Sequence, residues 1–448
     1  MKKSFTITVI TKLITPNAGN QALSTELIRL IKSAYPEART YAGWQERGLE
    51  RYSFAMLQHG GSNPLNTLDG WAERIIKKYD ASRNGNSIGN EEALPILKTY
   101  ELYPDQEDFT KIVKLNSHIP SLPLRLYNKG LRNLSTLLDR RGVYGKKYEN
   151  WLDVLKYSDW VVYSPAGAIL GSLADVIVRD LLGLRIAQRL GARIAAVNQS
   201  VEINHPLLQR LLSQLYTSFD SIVVRDPASA EFLAKAGVSP VRIKLAPDTA
   251  YLSQPANMET HDLDQIIKLE NIKPRTVGIT LQAIKNRVDF SGWGRIIEIL
   301  RSQGKEVIFV SHEMATDMPS GKELQKRYNV KILSRQYNYG EYIRLLSLLE
   351  LVISERYHTC VFSTIAGIPF IPLNTWPQRK MHGIVWALNY PIPPVNTFHD
   401  DWVDLTLKNI EYLYQNYDQI AESLREALPR LRKLAEENVR YDSVSASK

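Results

Sequence analysis

The segment Leu351–Leu373, LVISERYHTCVFSTIAGIPFIPL, constrains the fold more than any other part of the chain. An apolar run, Leu351–Ser354, breaks at a polar turn. A stretch of small and apolar residues follows, Gly367 punctuates it, and a second apolar run, Pro369–Leu373, closes the unit. Strand, turn, helix, glycine, strand is the pattern of a βαβ crossover, which requires a parallel sheet. The turn sets Arg356 and His358 at the carboxyl end of a predicted strand, where the helix begins. In an open α/β sheet ligands bind along that edge. A helix N-terminus beside a guanidinium and an imidazole suits an anionic phosphate or carboxylate.

The same order of elements recurs through most of the chain. Phe5, Ile7 and Val9 alternate with threonines over Phe5–Ile10. Two lysines precede this run as in a signal peptide, but Lys12 breaks it and a Pro16–Asn20 loop follows, so a first strand is expected. A helix from Gln21 then places Leu23, Leu27, Leu30, Ile31 and Ala34 on one stripe. Strands are predicted at 160–163, 193–198, 221–224 and 241–245, with helices at 172–190 and 206–219. Asp226 and Pro227 open a further helix that ends before Gly237. Ser253–Arg275 is polar and reads as an interdomain linker. Strands then recur at 276–281, 306–310, 330–333, 351–354 and 369–373. Helices are predicted at 293–303 and 339–349 and after Arg356, and two more close the chain at 402–416 and 418–440. The fold class is therefore α/β, with two Rossmann-like domains and a central cleft, a GT-B-like arrangement. The first domain spans 1–255 and the second 276–448. A length of 448 residues fits two such units.

Residues of about 45–150 break the pattern and read as an irregular insertion. Within it, Leu122–Arg141 sets Leu124, Leu131, Leu134, Leu137 and Leu138 against Arg125, Lys129, Arg132, Arg140 and Arg141. Such a basic amphipathic stretch either packs on its domain or touches an anionic membrane surface, and the first is the commoner outcome. The net charge of +9 suits anionic substrates. Lysine and arginine are dispersed and no nucleic-acid signature is present, so nucleic acid is not an expected partner. Cys360 is the only cysteine, which excludes an intrachain disulfide and a cysteine-based zinc cluster. It reads as a buried structural thiol on the helix after His358. HExxH, GxxxxGK[ST] and GxGxxG are absent, and Asp262 and Asp264 fall in the linker, so neither a metal nor a bound cofactor is expected. No apolar run approaches a membrane span. A cytoplasmic chain is expected, either free or peripheral to the inner face of the membrane.

Polar residues collect at the carboxyl ends of the predicted strands: Asn17, Gly19 and Asn20; Ser164–Gly167; Gln199 and Ser200; Arg225 and Asp226; Asp248; Gln282; Ser311 and His312; Arg356, Tyr357 and His358; Asn374. Arg225 serves either as an anion ligand or as a partner for Asp226 or a neighbour at the rim. His312 is either a satisfied rim histidine or part of a site.

The order of these short motifs resembles the polysaccharide pyruvyl transferase family. Ser354-Glu355-Arg356-Tyr357-His358, a helix of small residues and Gly367-Ile368-Pro369 resemble its C-terminal signature. Asn17-Ala18-Gly19-Asn20-Gln21-Ala22 resembles its opening, and Val224-Arg225-Asp226 with Ser229 resembles its Val-Arg-Asp-x-x-Ser segment. The strand ending at His312 and the Pro247-Asp248 segment also fit. Pro165-Ala166-Gly167-Ala168 departs from a glycine-rich triplet, and Gln282 stands where an arginine is common. The resemblance implies transfer of a pyruvyl group from phosphoenolpyruvate to two sugar hydroxyls, forming a ketal and releasing phosphate, with no metal required. It implies that Arg225 and Arg356 hold the donor and that His358 acts as general acid/base or phosphate donor. Tyr357 and His312 would complete the donor side, while Asn17, Gly19 and Asn20 face a glycan or lipid-linked acceptor. Two other readings share the fold: a glycosyltransferase using a nucleotide sugar, and a non-catalytic partner in surface-polysaccharide assembly.

Overall fold

The computed structural model describes residues 6–11, 17–43, 56, 63–82, 151–167, 169–171, 174–257, 260–282, 288–374 and 380–441. The stretch Leu122–Arg141, and most of the insertion that contains it, lie outside them. The first half comprises β1 (Thr6–Thr11), α1 (Ala18–Ala34), β2 (Arg39–Gly43), α2 (Pro64–Ser82), β3 (Trp160–Ser164), β4 (Leu170–Gly171), α3 (Ala174–Arg189), β5 (Arg193–Gln199), β6 (Glu202–Ile203), α4 (Pro206–Tyr216), β7 (Ser221–Val224), α5 (Pro227–Lys235) and β8 (Ile243–Leu245). Helix α6 (Thr260–Glu270) leads into β9 (Thr276–Thr280), α7 (Phe290–Ser302), β10 (Glu306–Phe309), α8 (Met314–Tyr328), β11 (Lys331–Ile332), α9 (Tyr339–Leu346), β12 (Leu351–Ser354), α10 (Tyr357–Ala366), β13 (Phe370–Asn374), α11 (Lys380–Leu388), β14 (Val395–Asn396), α12 (Trp402–Gln415) and α13 (Tyr417–Ala435).

Two six-stranded sheets form, ordered β2-β1-β3-β5-β7-β8 and β11-β10-β9-β12-β13-β14, and their strand pairs are parallel. Strands β1, β3, β9, β12 and β13 are buried along their whole length. That is the condition of a parallel sheet covered on both faces, and it is why these strands read as apolar runs. The strand order reverses between β1 and β3 in the first sheet and between β9 and β12 in the second. Such a reversal opens a crevice at the carboxyl ends. The turn after β12 therefore stands at the switch point of the second sheet.

Several elements depart from the sequence expectation. The stretch read as a bare linker contains α6, whose Ile266 is buried; the stripe is too thin to register in a polar segment. Val241 is 92% exposed and sits in a 3-10 turn, so the strand begins only at Ile243. Helix α8 went unpredicted because Pro319 interrupts a mostly polar sequence. Strand β2 and helices α2 and α11 likewise lacked a clean period.

The two halves are packed against each other. Ala18, Ala22 and Leu23 of α1, with Ala250 and Tyr251, join the hydrophobic core of the second domain. The Ala18 N–H donates to the His312 carbonyl at 2.9 Å. Helix α13 leaves the second domain, and Arg432 donates to the carbonyls of Tyr251 and Ser253, both at 3.1 Å. Residues 436–441 then settle on the first domain. Tyr441 stacks on Trp160 and Tyr35 with centroids 4.9 and 5.7 Å apart, and the Tyr35 hydroxyl donates to the Val439 carbonyl at 2.9 Å. The closing helices expected in the second domain thus end on the first. Tyr441→Ala is expected to cost about 3 kcal/mol by removing a buried, doubly stacked ring, as a lower urea midpoint will register.

Candidate active site

The sequence around β12 builds the first part of the site. The Ser354 hydroxyl bonds to Thr280 Oγ1 at 2.7 Å across the switch point, donates to the Arg356 carbonyl at 3.0 Å and accepts from the Arg356 N–H at 3.0 Å. This brace fixes Arg356 as the N-cap of α10, with extended backbone and no side-chain cap. The opening N–H groups of a helix lack intrahelical acceptors. Gly367, at φ +70, ends the helix in the left-handed conformation and admits the chain to β13.

Arg356 is held from the second domain. Its Nη2 donates to Thr316 Oγ1 at 2.9 Å and to Asp317, and Nη1 lies 3.9 Å from Glu313. Its Nε is buried and has no hydrogen-bond partner among the described residues. Arg225 approaches from the end of β7. Its Nε donates to Ser200 Oγ at 2.9 Å, its Nη1 donates to Asp248 at 2.6 Å, and its guanidinium lies 4.0 Å from the Tyr357 ring centroid. Asp248, not Asp226, is thus the partner of Arg225. Asp226 instead caps α5 and accepts from Ser200 Oγ at 2.6 Å.

The same Asp248 Oδ2 lies 3.3 Å from His358 Nε2. One carboxylate oxygen therefore holds an arginine of the first domain and a histidine of the second. Burial alone would push the Asp248 carboxyl up, but His358 and Arg225 outweigh it and hold the group below its usual value. Burial depresses His358, and the Asp248 hydrogen bond opposes that effect without cancelling it. With Nε2–H donated to Asp248, Nδ1 is the nitrogen left to exchange a proton. Gly19 faces it: a Cβ there would fall inside the envelope of the ring at Nδ1. The glycine is needed for this approach, not for backbone freedom.

Lys380 opens α11 and was not singled out from the sequence. It opens the helix after β13, but no clean apolar period marked that helix in the sequence. It is half-buried, and burial, then Arg356 and Arg225, push its ammonium down to about 8. Glu355, also missed, accepts from the Gln282 N–H at 2.7 Å, and burial pushes its carboxyl up to about 8. Helix α11 comes close to Arg225, because a Cβ on Gly383 would strike Asp226. Two arginines, a lysine and the start of α10 therefore converge from both domains.

The remaining expected residues play other parts in this arrangement. Asn17, Gly19 and Asn20 do not form a loop: Asn17 N-caps α1, accepting from the Asn20 N–H at 2.9 Å, and its amide donates to Glu313 at 2.9 Å. The α1 terminus is thus docked onto the second domain. His312 is buried, with Nδ1 3.4 Å from Thr359 Oγ1, and burial, with Arg356 and His358 nearby, holds it well below its usual value. Its ring stays neutral while its carbonyl receives Ala18. Gln199 accepts from the Tyr216 hydroxyl at 2.6 Å, and Ser164 lies 3.4 Å from the Asn198 amide. Asn374 Oδ1, at the end of β13, is buried and has no partner among the described residues. Cys360 is buried, as expected. No group of three or more potential metal ligands occurs among the described residues. None of their helices is long and apolar enough to cross a membrane.

Comparison with known families gives a match to the model for polysaccharide pyruvyl transferase over residues 86–377. The chain belongs to the polysaccharide pyruvyl transferase family. This match takes in Arg225, Asp248, Arg356 and His358, whereas Lys380 and α1 fall outside it. Amylovoran biosynthesis protein AmsJ of Erwinia amylovora is 22% identical over 247 residues, covering 49% of this chain and 57% of that protein. The alignment thus spans little more than half of that relative. UDP-GlcNAc 2-epimerase from Neisseria meningitidis, solved bound to UDP-GlcNAc, superposes with a TM-score of 0.51 at 11% identity over 97% of this chain and 98% of that one. HepE of Anabaena, solved with UDP and glucose, gives 0.50 at 11% identity over 96% and 95%. These likenesses establish the two-domain, GT-B-like fold of this family member.

Two expectations follow for the site. Below about pH 8 Lys380 is charged and Glu355 neutral; above it the lysine loses its positive charge and the glutamate gains a negative one, so both changes make the site less positive as pH rises. Sulfate, whose charge is fixed over this range, is expected to bind about tenfold more weakly at pH 9 than at pH 7 by calorimetry. Lys380→Met should flatten that dependence. Gly19→Ala is expected to displace the His358 ring at a cost of about 1–3 kcal/mol, read by thermal unfolding.

Proposed function

We propose that this chain transfers the pyruvyl group of phosphoenolpyruvate to two hydroxyls of a sugar in a surface polysaccharide or its lipid-linked precursor. The observation that carries this reading is the convergence of Arg225, Arg356 and Lys380 beside the Asp248–His358 pair. Phosphoenolpyruvate is a compact trianion bearing a carboxylate and a phosphate. Guanidinium groups fixed by protein partners match such oxygens with little loss of freedom on binding. The buried, unpartnered Nε of Arg356 is a donor that a ligand oxygen would relieve.

The chemistry divides among the groups present. A proton reaches the methylene carbon, which becomes the methyl group, and the neighbouring carbon becomes open to attack. Glu355 and Lys380, which feel each other's charge and both titrate near 8, are suited to supply that proton. The first sugar hydroxyl adds to that carbon. The second displaces phosphate and closes the ketal, so one hydroxyl proton is found on the methyl group and the other on the released phosphate. His358 is neutral and held at Nε2 by Asp248, and it takes hydroxyl protons through Nδ1. Asp248 steadies the imidazolium that results. The family supports a transferase acting on polysaccharide, and the likeness to an amylovoran biosynthesis protein favours an exopolysaccharide pathway.

Incubation with phosphoenolpyruvate and the cognate glycan should release phosphate and give a glycan with the mass of its pyruvate ketal. Thermal-shift titration should show stabilisation by phosphoenolpyruvate and none by UDP-, GDP- or ADP-sugars; stabilisation by a nucleotide sugar alone would sink the proposal. Arg356→Ala is expected to abolish donor binding in calorimetry. His358→Ala should retain much of that binding and lower turnover about 10²–10⁴-fold.

A further inference from the structure

We infer that Asn438, far from the cleft in sequence, is a positioning residue for the Asp248–His358 pair, acting through the turn Pro247–Thr249. The inference builds on the reading of that pair as the proton-handling centre.

Asn438 lies in the segment that follows α13 and is fully buried. Its Nδ2 donates to the Pro247 carbonyl at 2.9 Å and to the Ala435 carbonyl at 2.9 Å. Its Oδ1 accepts from the Asn198 N–H at 3.0 Å. Asn198 has φ +53, a left-handed conformation that asparagine tolerates better than most residues. In that posture its side chain reaches the same turn: Oδ1 accepts from the Thr249 N–H at 2.9 Å and Nδ2 donates to Thr249 Oγ1 at 2.8 Å. Thr249 Oγ1 in turn donates to the Leu23 carbonyl of α1 at 2.9 Å. The turn is therefore gripped on both sides of Asp248, at Pro247 by Asn438 and at Thr249 by Asn198.

Asp248 projects from the middle of this grip. Its Oδ1 accepts from the Ala250 N–H at 2.8 Å, which orients Oδ2 toward Arg225 and His358. Helix α1, tied to the same knot through Leu23, carries the Gly19 that faces His358 Nδ1. Asn438 thus fixes the carboxylate on one side of the imidazole and, through Asn198 and Thr249, steadies the helix on the other. A two-donor, one-acceptor amide satisfies all three backbone partners at once, and no apolar residue of that size can do so.

The test separates positioning from bulk stability. Asn438→Ala removes all three bonds. Asn438→Leu keeps the bulk, adds no charge and removes the same three bonds. Leu300→Ala, in the core of the second domain, serves as a destabilised control. The readout is the His358 titration in ¹⁵N-histidine-labelled protein, assigned by the signal lost in His358→Gln. The other groups that act on His358, namely Arg225, Lys380 and His312, sit on separate elements and are common to all variants. Asp248 raises His358 against the effect of burial, so slackening the turn is expected to lower its midpoint by about 0.5–1 pH unit in Asn438→Ala and Asn438→Leu. In turnover assays kcat should fall about tenfold with KM for phosphoenolpyruvate within about twofold. Leu300→Ala should unfold earlier with neither change. An unshifted His358 midpoint in both Asn438 variants overturns the inference whatever the turnover. A shifted midpoint in a protein whose wild type never consumes phosphoenolpyruvate would support the inference and overturn the pyruvyl-transfer reading instead. Should Asn438→Ala fail to fold, Asn438→Leu decides alone.

Discussion

Nearly everything that gives this molecule a site depends on one oxygen. Asp248 Oδ2 accepts from Arg225 at 2.6 Å and lies 3.3 Å from His358 Nε2. The carboxylate has no exposed surface, so ionising it is favourable only because two cationic or proton-bearing partners come to it. One partner belongs to each domain. The packing of the halves, the charge state of the histidine and the direction of the guanidinium are therefore facets of a single arrangement. Removing one member of such a set leaves the others buried with unmet charge, typically worth about 3–5 kcal/mol.

Around that centre cations crowd together even though carboxylates pair with two of them. Arg356 is shared between Thr316 and Asp317, with Glu313 further off, and its Nε is left over. Lys380 lies where two arginines depress it. A protein that needed only stability would gain little from gathering like charges at a half-buried site. On the proposed reading the ligand carries the compensating charge, and the cost of holding the cations together becomes binding energy when it arrives.

Much of this was legible in the sequence where a single segment carried the signal. The unit β12–α10–β13 reads directly, because a fully covered parallel strand must be apolar from end to end and its switch-point turn must be polar. Arg225, Arg356 and His358 could be found for the same reason. The pairing between them could not. Asp248 is one polar residue among many at strand ends, and its partners lie 23 and 110 positions away. The Asn17–Asn20 segment looks like a loop for a ligand, yet it is the first turn of a helix docked on Glu313 and the His312 carbonyl. Nothing local distinguishes an asparagine that awaits a sugar from one that meets another domain. Lys380 and Asn438 escaped notice because their meaning lies wholly in what the fold brings beside them.

The return of residues 436–441 to the first sheet has a consequence for how the molecule is made. Strand β1 precedes Tyr441 by more than four hundred residues, so the patch beside Trp160 that Tyr441 covers waits for it, although α1 already packs on the same face. The turn bearing Asp248 waits equally long for Asn438. Both domains can therefore collapse in turn while the machinery between them stays unassembled. A chain cut short before Asn438 would possess Arg225, Asp248, Arg356 and His358 and still lack the hydrogen bond that holds the Pro247 carbonyl.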